Sequence, residues 1–389
     1  MMDTTALQLL GLFTATALAG VVATRFSILL SHRLGVLDRP DPRKTHRGPM
    51  PYLGGLGVLL ALGAGLWVAA VLRPDLAIAR GAQMILILGG AVAIFLVGFW
   101  DDVRPLRAVV KLALQAVVAG GMWYLGFRVE TLNLGLGYGS ELGNPVSFVI
   151  TVGWYVTLMN AINLVDGLDG LAGGITLIGA ISLVGVSLVI GQTADVAMAG
   201  FVAILTAGAV LGFLAYNWHP ARTFMGDGGS LLLGYLLATA SLLGSTKTPT
   251  LIALAIPLVA LGLPIFEISF SFFRRAIKGK HPFRPDRRHL HHRLLDLGLD
   301  QRRVVVILLF MTAFLGANSI LLATAESRIL LFNVAFLLVG LVILIECLKY
   351  LEKGRERSAT ETPRLPTDST ARPTISTKPK PTTVKGASG

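Results

Sequence analysis

The stretch NAINLVDGLDGLAGG, residues 160–174, places four polar side chains between two long apolar runs. They recur at three-residue spacing as Asn160, Asn163, Asp166 and Asp169. On a helix, this spacing puts neighbours on adjacent parts of one face. Carboxylates beside hydrocarbon are costly to desolvate, so they indicate a functional site more often than packing. A polar turn at the membrane edge, capped by Asp and Gly, is the structural alternative.

The composition of the whole chain excludes a water-soluble fold. Of the 389 residues, 53% are hydrophobic and 14% are charged, and the mean hydropathy is +0.70. So much apolar surface needs a bilayer as its solvent, which predicts an all-α polytopic membrane protein. About eleven segments have roughly the length of a transmembrane helix: 5–30, 52–72, 82–100, 107–127, 146–162, 171–191, 194–217, 228–245, 248–273, 302–323 and 328–350.

The chain divides into a membrane domain, residues 1–351, and a basic tail rich in Thr and Pro, residues 352–389. The tail lacks a periodic apolar face, so we expect it to be disordered. The first span has no positively charged segment before it and no cleavage site after it, which favours a retained helix over a signal peptide.

Basic residues are distributed unevenly between the predicted loops. Loops 31–51 and 274–303 hold 5 and 10 of them, and the tail from Lys349 holds 9. The positive-inside rule therefore places the N-terminus outside and the tail in the cytoplasm. The net charge of +12 then reflects this bias and anionic lipid, and it needs no nucleic-acid partner.

With this topology, the unusual polar clusters share the cytoplasmic face. Asp101 and Asp102 end the third span, and adjacent carboxylates repel unless a cation or a shared proton relieves them. Lys111 is close enough to the surface to extend toward an anion. Asp227 lies among glycines at a predicted helix start, where a divalent ion could meet a diphosphate. For Asp101 and Asp102, the structural alternative is an acidic pair that ends a helix in water. For the basic loop that follows the first span, it is a rigid loop that only obeys the positive-inside rule.

The last internal loop combines ten cations with the clustered histidines His289, His291 and His292. Zinc would need a further ligand arranged around them. The arginines instead favour anion binding, and a solvated basic helix is the remaining alternative. Hard carboxylate and amide oxygens elsewhere on this face suit Mg²⁺, which binds through few protein ligands plus substrate phosphates. Phosphoryl transfer requires such an ion, surrounding cations and an in-line nucleophile.

Five motifs on this face resemble the polyprenyl-phosphate N-acetylhexosamine-1-phosphate transferases over almost all of the chain up to residue 350. They are DRPDPRKTHRGPMPYLGG (38–55), GFWDD (98–102), NAINLVDGLDGLAGG (160–174), FMGDGGS (224–230) and RRHLHHRL (287–294). The resemblance implies that the phosphate of a membrane polyprenyl phosphate, such as undecaprenyl phosphate, attacks the β-phosphorus of a UDP-sugar and releases UMP. It also implies Mg²⁺ with Mn²⁺ as a substitute, a plasma-membrane site facing the cytoplasm, and a possible homodimer.

The same resemblance implies roles for individual residues. Asn163 and Asp227 would coordinate Mg²⁺, Asp166 would support the metal, and Asp101 and Asp102 would position or deprotonate the lipid phosphate. The substrate-binding residues would be Lys111 for a phosphate, Asp169 and Phe224 for the uracil, Asp38 and Lys44 at the entrance, and Arg287, Arg288, His289, His291 and His292 for the sugar. Direct in-line attack is the preferred mechanism, and an aspartyl-phosphate intermediate is its alternative.

The interrupted histidine run His-Leu-His-His is similar to the WecA/TagO branch, which transfers GlcNAc-1-phosphate to start surface polysaccharides. Glu267 departs from that branch, where Asp is usual. The branch that acts on UDP-MurNAc-pentapeptide in peptidoglycan synthesis is the alternative for the sugar. A secondary transporter or lipid flippase is the alternative from another class, because acids and basic loops in membranes also line ion pathways.

Overall fold

The computed structural model describes residues 4–39, 48–72, 74–133, 139–191, 193–245, 258, 261–266, 269 and 290–324. The helices bounded within these ranges are α1 (Thr4–Leu34), α2 (Gly54–Leu72), α3 (Pro74–Val103), α4 (Ala108–Tyr124), α5 (Asn144–Val165), α6 (Leu171–Ile190), α7 (Ala194–Asn217), α8 (Gly226–Ser245), α9 (Leu290–Asp296) and α10 (Gln301–Thr324). The strands are β1 (Leu37–Asp38), β2 (Met50–Pro51), β3 (Thr131–Asn133) and β4 (Gly139–Glu141).

The predicted helical membrane fold is confirmed in this part of the chain. Seven of the described helices are long and apolar enough to cross a membrane, and α4 is a shorter apolar helix. Nine of the predicted spans coincide with described helices. The third begins earlier than predicted, at Pro74, where the fixed φ of proline suits a first helical position. The spans at 248–273 and 328–350 and the tail fall largely or wholly outside the described residues.

Two antiparallel ribbons join helix ends. In the first, β3 pairs with β4 so that Thr131 faces Glu141, and the alternation of apolar and polar residues between 128 and 145 is typical of such a hairpin. The pairing of β1 with β2 was not predicted, because two-residue strands are too short to produce an alternating pattern. It sets Leu37 opposite Pro51 and so fixes Asp38 beside the start of α2.

The start of α8 is enclosed by two neighbouring helices. The backbone N–H of Gly54 donates to the carbonyl of Phe224 at 3.0 Å, so α2 is tied to the segment before α8. On the α3 side, a Cβ added to Gly98 would lie 2.5 Å from the backbone of Asp227. Small residues of this kind let membrane helices approach closely. The first turn of α8 is therefore held inside the bundle.

This packing predicts that Gly98→Ala destabilises the protein by about 1 to 3 kcal/mol, because its methyl group would overlap the α8 backbone. Gly89→Ala is the matched control, since a Cβ at that position of α3 meets no atom within 4 Å. Thermal unfolding in detergent measures both variants. Equal melting temperatures for the two would contradict the close contact between α3 and α8.

Candidate active site

A cluster of polar side chains forms where four helices meet. The Nζ atom of Lys111, from α4, lies 2.9 Å from Oδ2 of Asp101 at the end of α3. It also contacts Oδ2 of Asp227 in α8 and lies 3.4 Å from Oδ1 of Asn163 in α5. Side chains far apart in sequence thus surround one ammonium group. Asp101, Asn163 and Asp227, which were predicted to share one face of the membrane, are close together here, and Lys111 lies between them.

Asn163 links α5 to α8. Its Nδ2 donates to Oδ1 of Asp227 at 2.7 Å and to the hydroxyl of Ser230 at 2.8 Å. One turn earlier in α5, Asn160 donates to Oε1 of Gln115 at 2.5 Å. Gln115 is fully buried, and a buried amide needs such a partner. The amide pair therefore ties α4 to α5 one turn before Asn163, a role for Gln115 that was not predicted from the sequence.

Asp102 caps the first turn of α8. Its two oxygens accept the backbone N–H groups of Asp227 at 2.8 Å and Gly228 at 3.0 Å. Gly226 has φ +69°, and a Cβ there would come 2.6 Å from Oδ2 of Asp102. Only glycine fits both the positive φ and the close approach of the carboxylate. Asp102 therefore fixes the backbone that carries Asp227.

Asp101 is also held by the backbone. Its Oδ1 accepts the N–H of Leu106 at 2.6 Å, while Oδ2 faces Lys111. Both carboxylates of the pair are thus occupied by hydrogen-bond donors, and this relieves the repulsion that the sequence implied.

The loop after α5 carries the other two predicted acids. Asp169 accepts the backbone N–H of Ala221 at 3.1 Å, and its Oδ2 lies 2.8 Å from Nδ1 of His219. The amide of Asn217 accepts the N–H of Gly170 at 3.0 Å. These contacts tie the loop to the segment after α7. His219 and Asn217 were not predicted, because only the folded chain brings their segment beside Asp169.

Asp166 immediately follows α5 and is half-buried. Its burial, followed by the charges of Asp227, Asp102 and Asp169, raises the pKa of Asp166 to about 8. Burial and the neighbouring acids both oppose the ionised form of this carboxyl. A divalent cation would favour that form.

Tyr52, just before α2, faces the same cluster and was not predicted. Its ring packs edge-on against Phe224, with centroids 6.5 Å apart. Burial, and then the charges of Asp102 and Asp227, raise the pKa of Tyr52 far above its ordinary value, so its hydroxyl stays protonated. Asp38 makes the smallest contribution to the same shift, and its role at the site entrance stays a prediction. Tyr52 is a neutral hydrogen-bond donor among acids.

Some predicted residues cannot be placed. Lys44, Arg287, Arg288, His289 and Glu267 lie outside the described residues. His291 and His292 belong to α9, which packs against α10, and only the half-buried side chain of His292 is described. Recognition of the sugar by this loop stays a prediction.

The donor set fits Mg²⁺. Asp227 and Asn163 direct oxygens at a point that already attracts the Lys111 ammonium. Within the described ranges, no three His, Cys, Asp or Glu side chains are grouped as metal ligands. Mg²⁺ needs only one or two protein ligands when phosphates and waters complete its shell. A carboxylate and an amide suit this hard ion better than a transition metal.

The shifted pKa predicts a pH-dependent effect of Asp166→Asn in the presence of a chelator. In the folded protein the Asp166 carboxyl keeps its proton up to about pH 8, whereas in the unfolded chain it loses the proton at about pH 4. The folded state therefore binds more protons in this window, and the free energy of unfolding falls as pH rises through it. We expect the variant to be more stable than wild type at pH 8 but not at pH 4. A pH-independent difference in unfolding temperature would contradict this.

The fold and the cluster together define a multi-pass membrane protein with a site of acidic and amide side chains at one end of its helices. Residues 84–245 match the model of glycosyl transferase family 4. A Bacillus subtilis protein named as a probable undecaprenyl-phosphate N-acetylglucosaminyl 1-phosphate transferase is 33% identical, over 89% of this chain and 94% of its own length. The decaprenyl-phosphate N-acetylglucosaminephosphotransferase of Mycobacterium tuberculosis is 32% identical, over 82% of this chain and 84% of its own.

An undecaprenyl-phosphate alpha-N-acetylglucosaminyl 1-phosphate transferase of Escherichia coli is 27% identical over 82% of the chain. The chain therefore belongs to glycosyl transferase family 4, among relatives of the polyprenyl-phosphate N-acetylglucosaminyl-1-phosphate transferase type. The resemblance drawn from the five motifs is confirmed.

Proposed function

We propose that the protein transfers GlcNAc-1-phosphate from UDP-GlcNAc to a polyprenyl phosphate, with UMP as the leaving group. The names of its relatives support this reaction and this sugar. The observation that carries the proposal is the convergence of Asp101, Lys111, Asn163 and Asp227 on one point. An acidic, amide-rich site with a central cation suits a metal-bound diphosphate.

The residues of the cluster would divide the work of phosphate binding. Oxygens of Asp227 and Asn163 would hold Mg²⁺, which when bound would neutralise negative charge on the diphosphate. Lys111, now between two carboxylates, lies within reach of the same oxygens and would pair with a phosphate. Phe224 and Tyr52 would offer ring surface at the edge of the site, where uracil could pack.

Direct displacement is the mechanism that the contacts of Asp101 and Asp102 support. An oxygen of the lipid phosphate would form a bond to the β-phosphorus, and the bond from that phosphorus to the bridging oxygen would break, leaving UMP. Both aspartates already accept backbone N–H groups, which favours positioning over attack. A lipid phosphate is largely ionised at neutral pH, so little proton transfer is required.

The location proposed for the reaction is the cytoplasmic face of the plasma membrane. The distribution of Lys and Arg in the loops supports this orientation, and UDP-sugars would then reach the site from the cytosol.

UMP release tests the proposal. Purified protein with Mg²⁺ and undecaprenyl phosphate is expected to release UMP from UDP-GlcNAc and to form a lipid-linked diphosphate sugar. Turnover of UDP-MurNAc-pentapeptide but not of UDP-GlcNAc would contradict the assignment of GlcNAc as the sugar. Release of UMP without any lipid acceptor would contradict direct displacement, and transport without turnover in proteoliposomes would favour the transporter alternative.

A further inference from the structure

A groove of about 560 Å³ runs along the outside of the bundle between α1, α6 and α7. It is almost entirely apolar, and its lining includes Ala17, Leu18, Val21, Leu211, Ala215 and Trp218. None of these side chains takes part in the acidic cluster. The groove therefore belongs to a different surface from the candidate active site.

The relative level of α1 and α7 is fixed by glycine contacts. A Cβ added to Gly212 would lie 2.6 Å from the Cα of Gly20, and one added to Gly208 would lie 3.3 Å from the backbone nitrogen of Ala17. Positions later in α7 thus meet positions later in α1, so the two helices run in the same direction. Both rise about 1.5 Å per residue. Residues an equal number of positions beyond these contacts lie at the same level.

Arg25 and Trp218 lie at nearly the same level, because they are five and six residues beyond the contact between Gly20 and Gly212. Arg25 follows Val21 by four residues, which places it on the groove face of α1. It is exposed, and no acidic residue in the described ranges forms an ion pair with it. Trp218 is 48% exposed, as is typical of a tryptophan at the membrane interface. A cation and an indole thus stand at the end of the apolar groove.

Within the part of the chain that the structure describes, Arg25 lies on an exposed and mainly apolar surface of α1. Its exposed neighbours Val22, Phe26 and Leu29 are apolar. A charged side chain in such surroundings is costly unless it meets an anion. At the level of an interfacial tryptophan, the anion available from the membrane is a lipid phosphate, which arginine binds through two parallel hydrogen bonds. Charge and shape therefore point to one kind of ligand.

We infer that this groove binds a glycerophospholipid, with its phosphate on Arg25 and an acyl chain along Leu18, Leu211 and Ala215. The site does not depend on the proposed transfer reaction. The ring of Trp218 also packs over Gly170, where a Cβ would lie 3.1 Å from it. A bound lipid would therefore stabilise the indole beside the loop that carries Asp169.

Native mass spectrometry of delipidated protein with added phosphatidylglycerol tests the inference. Wild type is expected to bind one lipid specifically. Arg25→Gln should weaken that binding about tenfold, the loss expected for a charge-assisted hydrogen bond. Ala215→Trp, which fills the groove, should weaken it as well. Arg33→Gln is the matched control, because Arg33 is also an exposed cation of α1 but lies eight residues, about 12 Å, further along the helix from the groove.

Three results would overturn the inference. The first is equal binding by wild type, Arg25→Gln and Ala215→Trp. The second is an Arg25-dependent site that takes undecaprenyl phosphate and not phosphatidylglycerol. The third is a dimer that covers Ala215 with a second copy of the chain. Thermal unfolding of each variant shows that a loss of binding does not come from misfolding.

Discussion

Asp227→Asn is expected to lower Mg²⁺-dependent UMP release by on the order of a thousandfold, the effect of losing a charged ligand to a catalytic metal. Asparagine has the same shape as aspartate and its oxygen can still accept a hydrogen bond, so we expect Asn163 and Ser230 to keep their positions. What is lost is the negative charge beside Lys111. Initial rates over a range of Mg²⁺ concentrations measure the change.

Asp195→Asn is the matched control for this substitution. Asp195 pairs with Arg80 at 3.1 Å, in the first turn of α7, away from the cluster. We expect near wild-type rates for it. Near wild-type rates for Asp227→Asn as well would contradict the assignment of Asp227 to the metal.

Asp102→Ala is expected to lower turnover on the order of a hundredfold, whereas Asp102→Asn should keep a substantial part of it. The difference follows from the cap, because an Asn oxygen can still accept one backbone N–H of the first helical turn and an Ala side chain cannot. The Ala variant should also unfold at a lower temperature. UMP release and thermal unfolding of both variants measure these effects.

Equal inactivity of the two Asp102 variants, with unchanged unfolding temperatures, would indicate a chemical role for this carboxylate. A graded loss that follows stability would support positioning of the α8 backbone. The pair of variants thus separates the two roles that the sequence leaves open.

The sequence predicted the helices of this fold because each span is a long apolar run between polar segments. It also predicted that Asp101, Asp102, Asn163 and Asp227 would converge, because alternate helix ends meet on the same side of a membrane. The order of the spans along the chain is enough to determine which helix ends share a side of the membrane.

Contacts between side chains could not be predicted in the same way. Lys111 pairs with Asp101 and Asp227 in the structure, partners that its position in the sequence did not indicate, and its binding of a phosphate stays a prediction. Tyr52 and His219 reach the site through loops whose paths depend on tertiary contacts. Nothing in their local pattern distinguishes them from ordinary interfacial residues.

The position of a bound metal tests the central claim most directly. Diffraction at the manganese absorption edge from crystals with Mn²⁺ and UDP-GlcNAc locates the ion. We predict one ion that contacts the carboxylate of Asp227, Oδ1 of Asn163 and an oxygen of the diphosphate. An ion bound elsewhere, such as among His289, His291 and His292, with the diphosphate away from Asp227, would contradict the account.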